Sequence, residues 1–172
     1  MRAWLGPLAV FLVSALAAHG ATLALAPRFI MNRTMDALEQ RGVALHAFTT
    51  PLRISPQTQT VVRSSPDLFY SLCRFDLAEP EDVLRVTMSE WPDYQSVSFY
   101  DAQTNNFLTY RGSGERIAVS IAAPDARDPR TIASPTRRGV VLLRRLAPTQ
   151  AAFERAARAA RADRCELTRR ED

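Results

Sequence analysis

Lysine is absent from all 172 residues, so each of the 22 basic side chains is an arginine. That removes lysine Schiff bases and the phosphate-gripping lysine of nucleotide-binding loops, whereas arginine stays charged and pairs with carboxylates or phosphates. Histidine and cysteine are scarce, at two each. His46, Cys73 and Cys165 lie too far apart in sequence for zinc-ligand spacing, and no metal centre or cofactor is predicted. A serine triad would lack a nucleophile elbow, and Gly112-Ser113-Gly114 reads as a flexible hairpin loop. Nucleic acid is not the expected partner, because no aromatic interleaving accompanies the arginines. The arginine and alanine bias itself is read as compositional habit.

What the chain does contain is one long uncharged stretch. From Trp4 to Ala26 there is no formal charge, which matches the apolar helix length needed to cross a bilayer. Arg2 precedes it, as in signal peptides and signal anchors alike. The small-residue site Ala24-Leu25-Ala26 is followed by Pro27, a poor cleavage context, so residues 1–27 are expected to be a cytoplasmic tip and an uncleaved transmembrane anchor. Arg28, Arg33 and Arg41 pull the following side towards the cytoplasm, yet long domains translocate largely regardless of charge. The expected topology therefore puts the tip inside and the domain outside. Within the anchor, His19 reads as a tolerated polar residue or a helix contact. Residues 28–42 are expected to form an amphipathic stem helix bearing Phe29, Met35 and Leu38 on a loosely shared face and stopped by Gly42. Contact with the membrane surface and packing on the base of the domain are both open for that stem.

A hydrophobic fraction of 47% and a charged fraction of 23% sit at the globular norm, and residues 43–172 are enough for one domain. From Val43 the apolar period becomes two, punctuated by Pro51, Pro56, Pro66, Pro80 and Pro92. Strands are predicted over 68–77, 83–88, 96–100 and 116–122, with Val140 to Leu143 as a central strand covered on both faces. The acidic trio Glu79, Glu81 and Asp82 around Pro80 reads as an exposed turn. Thr149 caps a closing helix over 149–167, on which Arg155, Arg158, Arg161 and Arg164 form a stripe partly neutralised by Glu154, Asp163 and Glu166. The expected fold is mainly β within an α+β whole: an N-terminal transmembrane helix, then a β-sandwich-like or partly closed barrel domain, then a C-terminal helix.

Several spaced motifs recur in order: Ser65-Pro66-Asp67-Leu68-Phe69-Tyr70-Ser71, then Asp76-Leu77, then Tyr94 through Tyr100-Asp101-Ala102 to Thr104-Asn105-Asn106-Phe107, and finally Ser134 to Gly139. Over Val62 to Leu146 the chain resembles a bacterial domain-of-unknown-function family, number 1254. The resemblance implies a β-sandwich-like domain and, for short members with this N-terminal segment, an envelope protein of the inner membrane. It implies no reaction. Longer members carry a second companion domain, so a function needing both halves would draw on a separate envelope partner.

Asp67 and Asp101 suit turn closure, Asn105-Asn106 suits a tight connection with positive φ, and Tyr70 and Tyr94 suit strands. The sharper reading gathers Asp67, Tyr70, Asp76, Tyr94, Asp101 and Asn105 at one end of the sandwich as a ligand pocket. Cys73, in a strand, and Cys165, near the end of the closing helix, are disulfide candidates that would pin helix to sheet; two unpaired thiols are the alternative. The expected function is a periplasmic, bilayer-anchored binding or interaction module whose small-molecule ligand is not specified by the sequence. The alternative is an enzyme acting on an exported substrate through the acidic and tyrosine side chains.

Overall fold

The computed structural model describes residues 4–54 and 64–169. Its first element is α1 (Leu5–Gln40), a single helix of 36 residues that runs through Pro27 without a break. The stem expected over 28–42 is thus the last third of the same helix. Proline removes one backbone donor, but no glycine or capping residue near Pro27 offers the chain another path. Termination comes where the sequence supplies it, at Gly42 with φ of 76°. There the Val43 and Gly42 amides donate to the Leu38 and Glu39 carbonyls at 2.9 and 2.8 Å, closing a Schellman turn.

Eight strands follow: β1 (Leu68–Asp76), β2 (Asp82–Met88), β3 (Gln95–Asp101), β4 (Asn106–Gly112), β5 (Ile117–Ala122), β6 (Ile132–Ala133), β7 (Arg138–Leu146) and β8 (Arg164–Arg169). They form two four-stranded sheets, ordered β1-β7-β3-β4 and β6-β5-β2-β8, and no closed barrel. Pairings between these eight strands are antiparallel except β5 with β6. Strict alternation in β1 sends Phe69, Ser71, Cys73 and Phe75 inward, as a period of two requires. The main core packs Phe75, Leu77, Leu84, Met88, Phe99, Ile121 and Leu143 between the sheets. β7 is central, as its doubly apolar run implies, and β3 beside it is buried on both faces rather than half-buried.

The C-terminal region departs most from expectation. α2 (Gln150–Ala159) begins at Thr149, whose hydroxyl accepts the Ala152 amide at 3.1 Å, and a 3-10 turn carries the chain to Ala162. Residues 164–169 then pair with β2 instead of continuing the helix. Cys165 is buried while its neighbours Arg164 and Glu166 are exposed, a strand alternation that the open edge of β2 converts into pairing. Local alanine propensity holds only as far as the chain has no better partner.

Cys73 and Cys165 are joined by a disulfide with a Cα separation of 6.6 Å. It ties β1 of one sheet to β8 of the other, not helix to sheet. Gly112-Ser113-Gly114 likewise joins the two sheets, running from β4 to β5, and is no hairpin.

Candidate functional site

Sheet register decides which candidate residues can meet. Asp67 immediately precedes β1 and its carbonyl accepts the Ala147 amide at 2.7 Å, while the Tyr94 carbonyl accepts the Leu146 amide at 2.9 Å. Both therefore sit where β7 ends. Tyr70 lies on β1 near that end, its hydroxyl accepting the Ser65 amide at 3.0 Å. Asp76 closes β1 opposite Arg138, Asp101 closes β3 opposite Gly139, and Asn105 is in the following turn. From Asp67 to Asp76 the strand rises about 30 Å, so the six residues divide into two groups at opposite ends of the sandwich. Asp67, Tyr70 and Tyr94 share one end; Asp76, Asp101 and Asn105 share the other.

At the second end Asp101 is a turn builder. Its carboxylate accepts the Gln103 and Asn105 amides at 2.8 and 2.9 Å and the Asn105 side-chain amide at 2.9 Å. Positive φ falls on Thr104, at 68°, rather than on either asparagine. A β-branched residue is unusual in that region, and the bonds to Asp101 on both sides of Thr104 hold it there.

The same end carries a cleft of about 580 Å³ between α1 and the sheet, lined by Met31, Met35, Asp36, Glu39, Arg74, Asp76 and Arg138. Met31, 5% exposed, is the one residue of α1 that is fully buried. Arg74, 11% exposed, pairs with Glu39 at 3.1 Å and donates to the Val43 carbonyl at 2.9 Å. Arg138 pairs with Asp76 at 2.8 Å. Asp36 is exposed and has no ionic or hydrogen-bonded partner among the described residues. The cleft thus offers arginines and carboxylates side by side over a methionine floor, a lining suited to holding a ligand of mixed charge. Gly139 is obligatory at its back: a Cβ there would overlap the Tyr100 carbonyl oxygen and lie 2.5 Å from Phe75 Cζ.

His46 stands beside this cleft in a bend with φ of 55°, not in a strand. Its Nε2 accepts the Asp76 amide at 3.1 Å, so the ring is engaged in holding the start of the domain against β1. Among the described residues no serine or threonine hydrogen-bonds to its ring. Among the described residues no group of three or more histidine, cysteine or acidic side chains is arranged to hold a metal ion.

One polar cluster went unread in the sequence. Arg145 and Asp163 have side chains 0% exposed and pair at 2.6 and 2.8 Å. The Ser89 amide donates to Asp163 at 2.9 Å, and Arg145 Nη2 donates to the Ser89 carbonyl at 3.2 Å. Parity was the available signal, since Val141, Leu143 and Arg145 share the inward face of β7. The cluster joins β7, the β2–β3 connection and the α2–β8 corner, with the ion pair buried and Ser89 half-buried.

Two four-stranded sheets packed face to face behind a long apolar helix define a β-sandwich of helix-led type. Residues 46–166 match the family described as "Protein of unknown function (DUF1254)", and the chain belongs to that family. Its fold is similar to the crystal structure of the VPA0106 protein from Vibrio parahaemolyticus. The TM-score is 0.59 at 11% identity, over 83% of this chain and 35% of that one. An uncharacterised protein from Burkholderia cenocepacia is also similar, with a TM-score of 0.47 at 13% identity over 73% of this chain and 35% of that one. The chain therefore spans 35% of the length of either solved structure. No curated protein matches it.

Proposed function

We propose that this is an inner-membrane-anchored envelope protein whose β-sandwich faces an oxidising periplasm and serves as a non-catalytic binding module. The observation that carries the reading is the division of α1. Its first turns, from Leu5 through Leu25, are exposed and apolar, a helix long enough to span a bilayer, whereas its last turns pack against the sandwich at Met31. Exposed leucines and phenylalanines in such number demand a lipid or protein cover. The Cys73–Cys165 bridge supports an oxidising compartment. The cleft between α1 and the sheet is the binding site of this reading, and a companion envelope chain supplying a further domain is its macromolecular partner. The enzyme alternative is less well supported, because its acidic and tyrosine residues are divided between the two ends of the sandwich.

The test is thiol labelling of the chain from intact cells combined with membrane fractionation. The expected outcome is a chain retained in the membrane pellet after alkaline carbonate, with cysteines that, once the chain is acid-trapped from intact cells and unfolded in denaturant, react with a maleimide only after reduction. Thiols that react in denaturant without prior reduction would put the domain in a reducing compartment and overturn the proposal.

A further inference from the structure

The second half of α1 is tied to the first sheet at two places. Glu39 pairs with Arg74 on β1, and with the Gln103 amide oxygen turned inward, Arg28 Nη2 and Nε donate to it at 3.1 and 3.2 Å in the β3–β4 turn. Leu23, Ala24, Pro27 and Arg28 line a notch with Gln103 and Asn105. From Arg28 to Glu39 the helix rises about 17 Å; from β4 to β1 the sheet measures about 14 Å across three strand spacings. The helix therefore crosses the strand ends with its axis along the width of the sheet, and the strands lie roughly perpendicular to it.

Counting about 20 residues of apolar helix from Leu5 brings the far hydrocarbon boundary to Ala24, level with the β3–β4 turn. From this we infer that the sandwich rests edge-on against the anionic headgroups of the bilayer through β4, with β1 and β8 on the distal side. The inference rests on the membrane-anchored reading above. β4 is an edge strand, bonded on one side only by β3. It presents Tyr110, 41% exposed, and exposed Arg111, the residue types that suit the interface between lipid and water and attract anionic lipid. Arg28 and Arg33 on α1 add to that charge. Seven residues of β4 extend about 23 Å, so a helix tilt of about 20° lifts the far end by only about 8 Å, the depth of a headgroup layer.

The test uses the full chain in vesicles of phosphatidylglycerol and phosphatidylethanolamine containing a headgroup-spin-labelled lipid. A fluorophore is attached at R111C on β4 or at E166C on β8, with the native disulfide left oxidised; N106C replaces R111C if the latter fails to fold. Quenching is expected to be at least about threefold stronger on β4, given a sheet width of about 14 Å. Equal quenching at both positions, in a chain that resists carbonate extraction, overturns edge-on docking while leaving the anchor intact. Release of the chain by carbonate overturns both. Replacing phosphatidylglycerol with phosphatidylcholine, and adding R111E to the chain labelled at N106C, tests charge attraction: weaker β4 quenching supports attraction to anionic headgroups, and unchanged quenching overturns that attraction while leaving edge-on placement by the helix.

Discussion

Breaking the bridge between Cys73 and Cys165 is the most quantitative perturbation available. The two cysteines are 92 residues apart, and closing a loop of that size removes roughly 16 cal/mol/K from the unfolded chain, or about 4.6 kcal/mol near room temperature. That is a large share of the stability of an ordinary domain, about 5–15 kcal/mol. Trp91 is a suitable reporter, being 4% exposed and donating from Nε1 to the Leu146 carbonyl at 3.2 Å. In a Trp4→Phe background, urea titration of the full chain in detergent follows Trp91 emission with and without reductant. For a urea slope of about 2 kcal/mol/M, reduction should lower the midpoint by about 2 M. An unchanged slope with a shift under about 0.5 M would refute the reasoning, because the oxidised and reduced unfolded chains would then be equally free. A changed slope would instead locate the difference in residual structure of the unfolded state.

Asp163→Ala should cost about 3–5 kcal/mol by stranding the buried Arg145 charge, and Asp163→Leu combined with Arg145→Met should cost markedly less than either single change, as measured by denaturant midpoints. Gly139→Ala should destabilise by about 3 kcal/mol or more, since the added Cβ meets the fixed Tyr100 carbonyl and Phe75 ring; an effect under about 0.5 kcal/mol on thermal unfolding would contradict that packing. Asp101→Ala removes three accepted hydrogen bonds from the β3–β4 turn and should cost about 1–3 kcal/mol. Hydrogen exchange at the Gln103 and Asn105 amides should rise, with β1 amides unaffected.

What the sequence by itself determined was whatever depends on neighbours a few residues apart. The uncharged run from Trp4, the stop at Gly42, the Thr149 cap, the alternation in β1 and β5 and the doubly apolar run of β7 each follow from local sterics, local hydrogen bonds and hydrophobic period, and the helix-plus-sandwich architecture follows from their order. The ordered motifs from Ser65 to Gly139 marked the family for the same reason, since turn-closing residues such as Asp101 act within four positions. Only the tertiary structure decided matters that depend on distant partners. Residues 164–169 became a strand because β2 had an edge to fill, and Arg145 became a core residue because Asp163 arrived to neutralise it. Asp67 and Asp76 fell at opposite ends because one strand separates them. The cleft exists because α1 continues past Pro27 and crosses the sheet, a packing choice that no local pattern encodes.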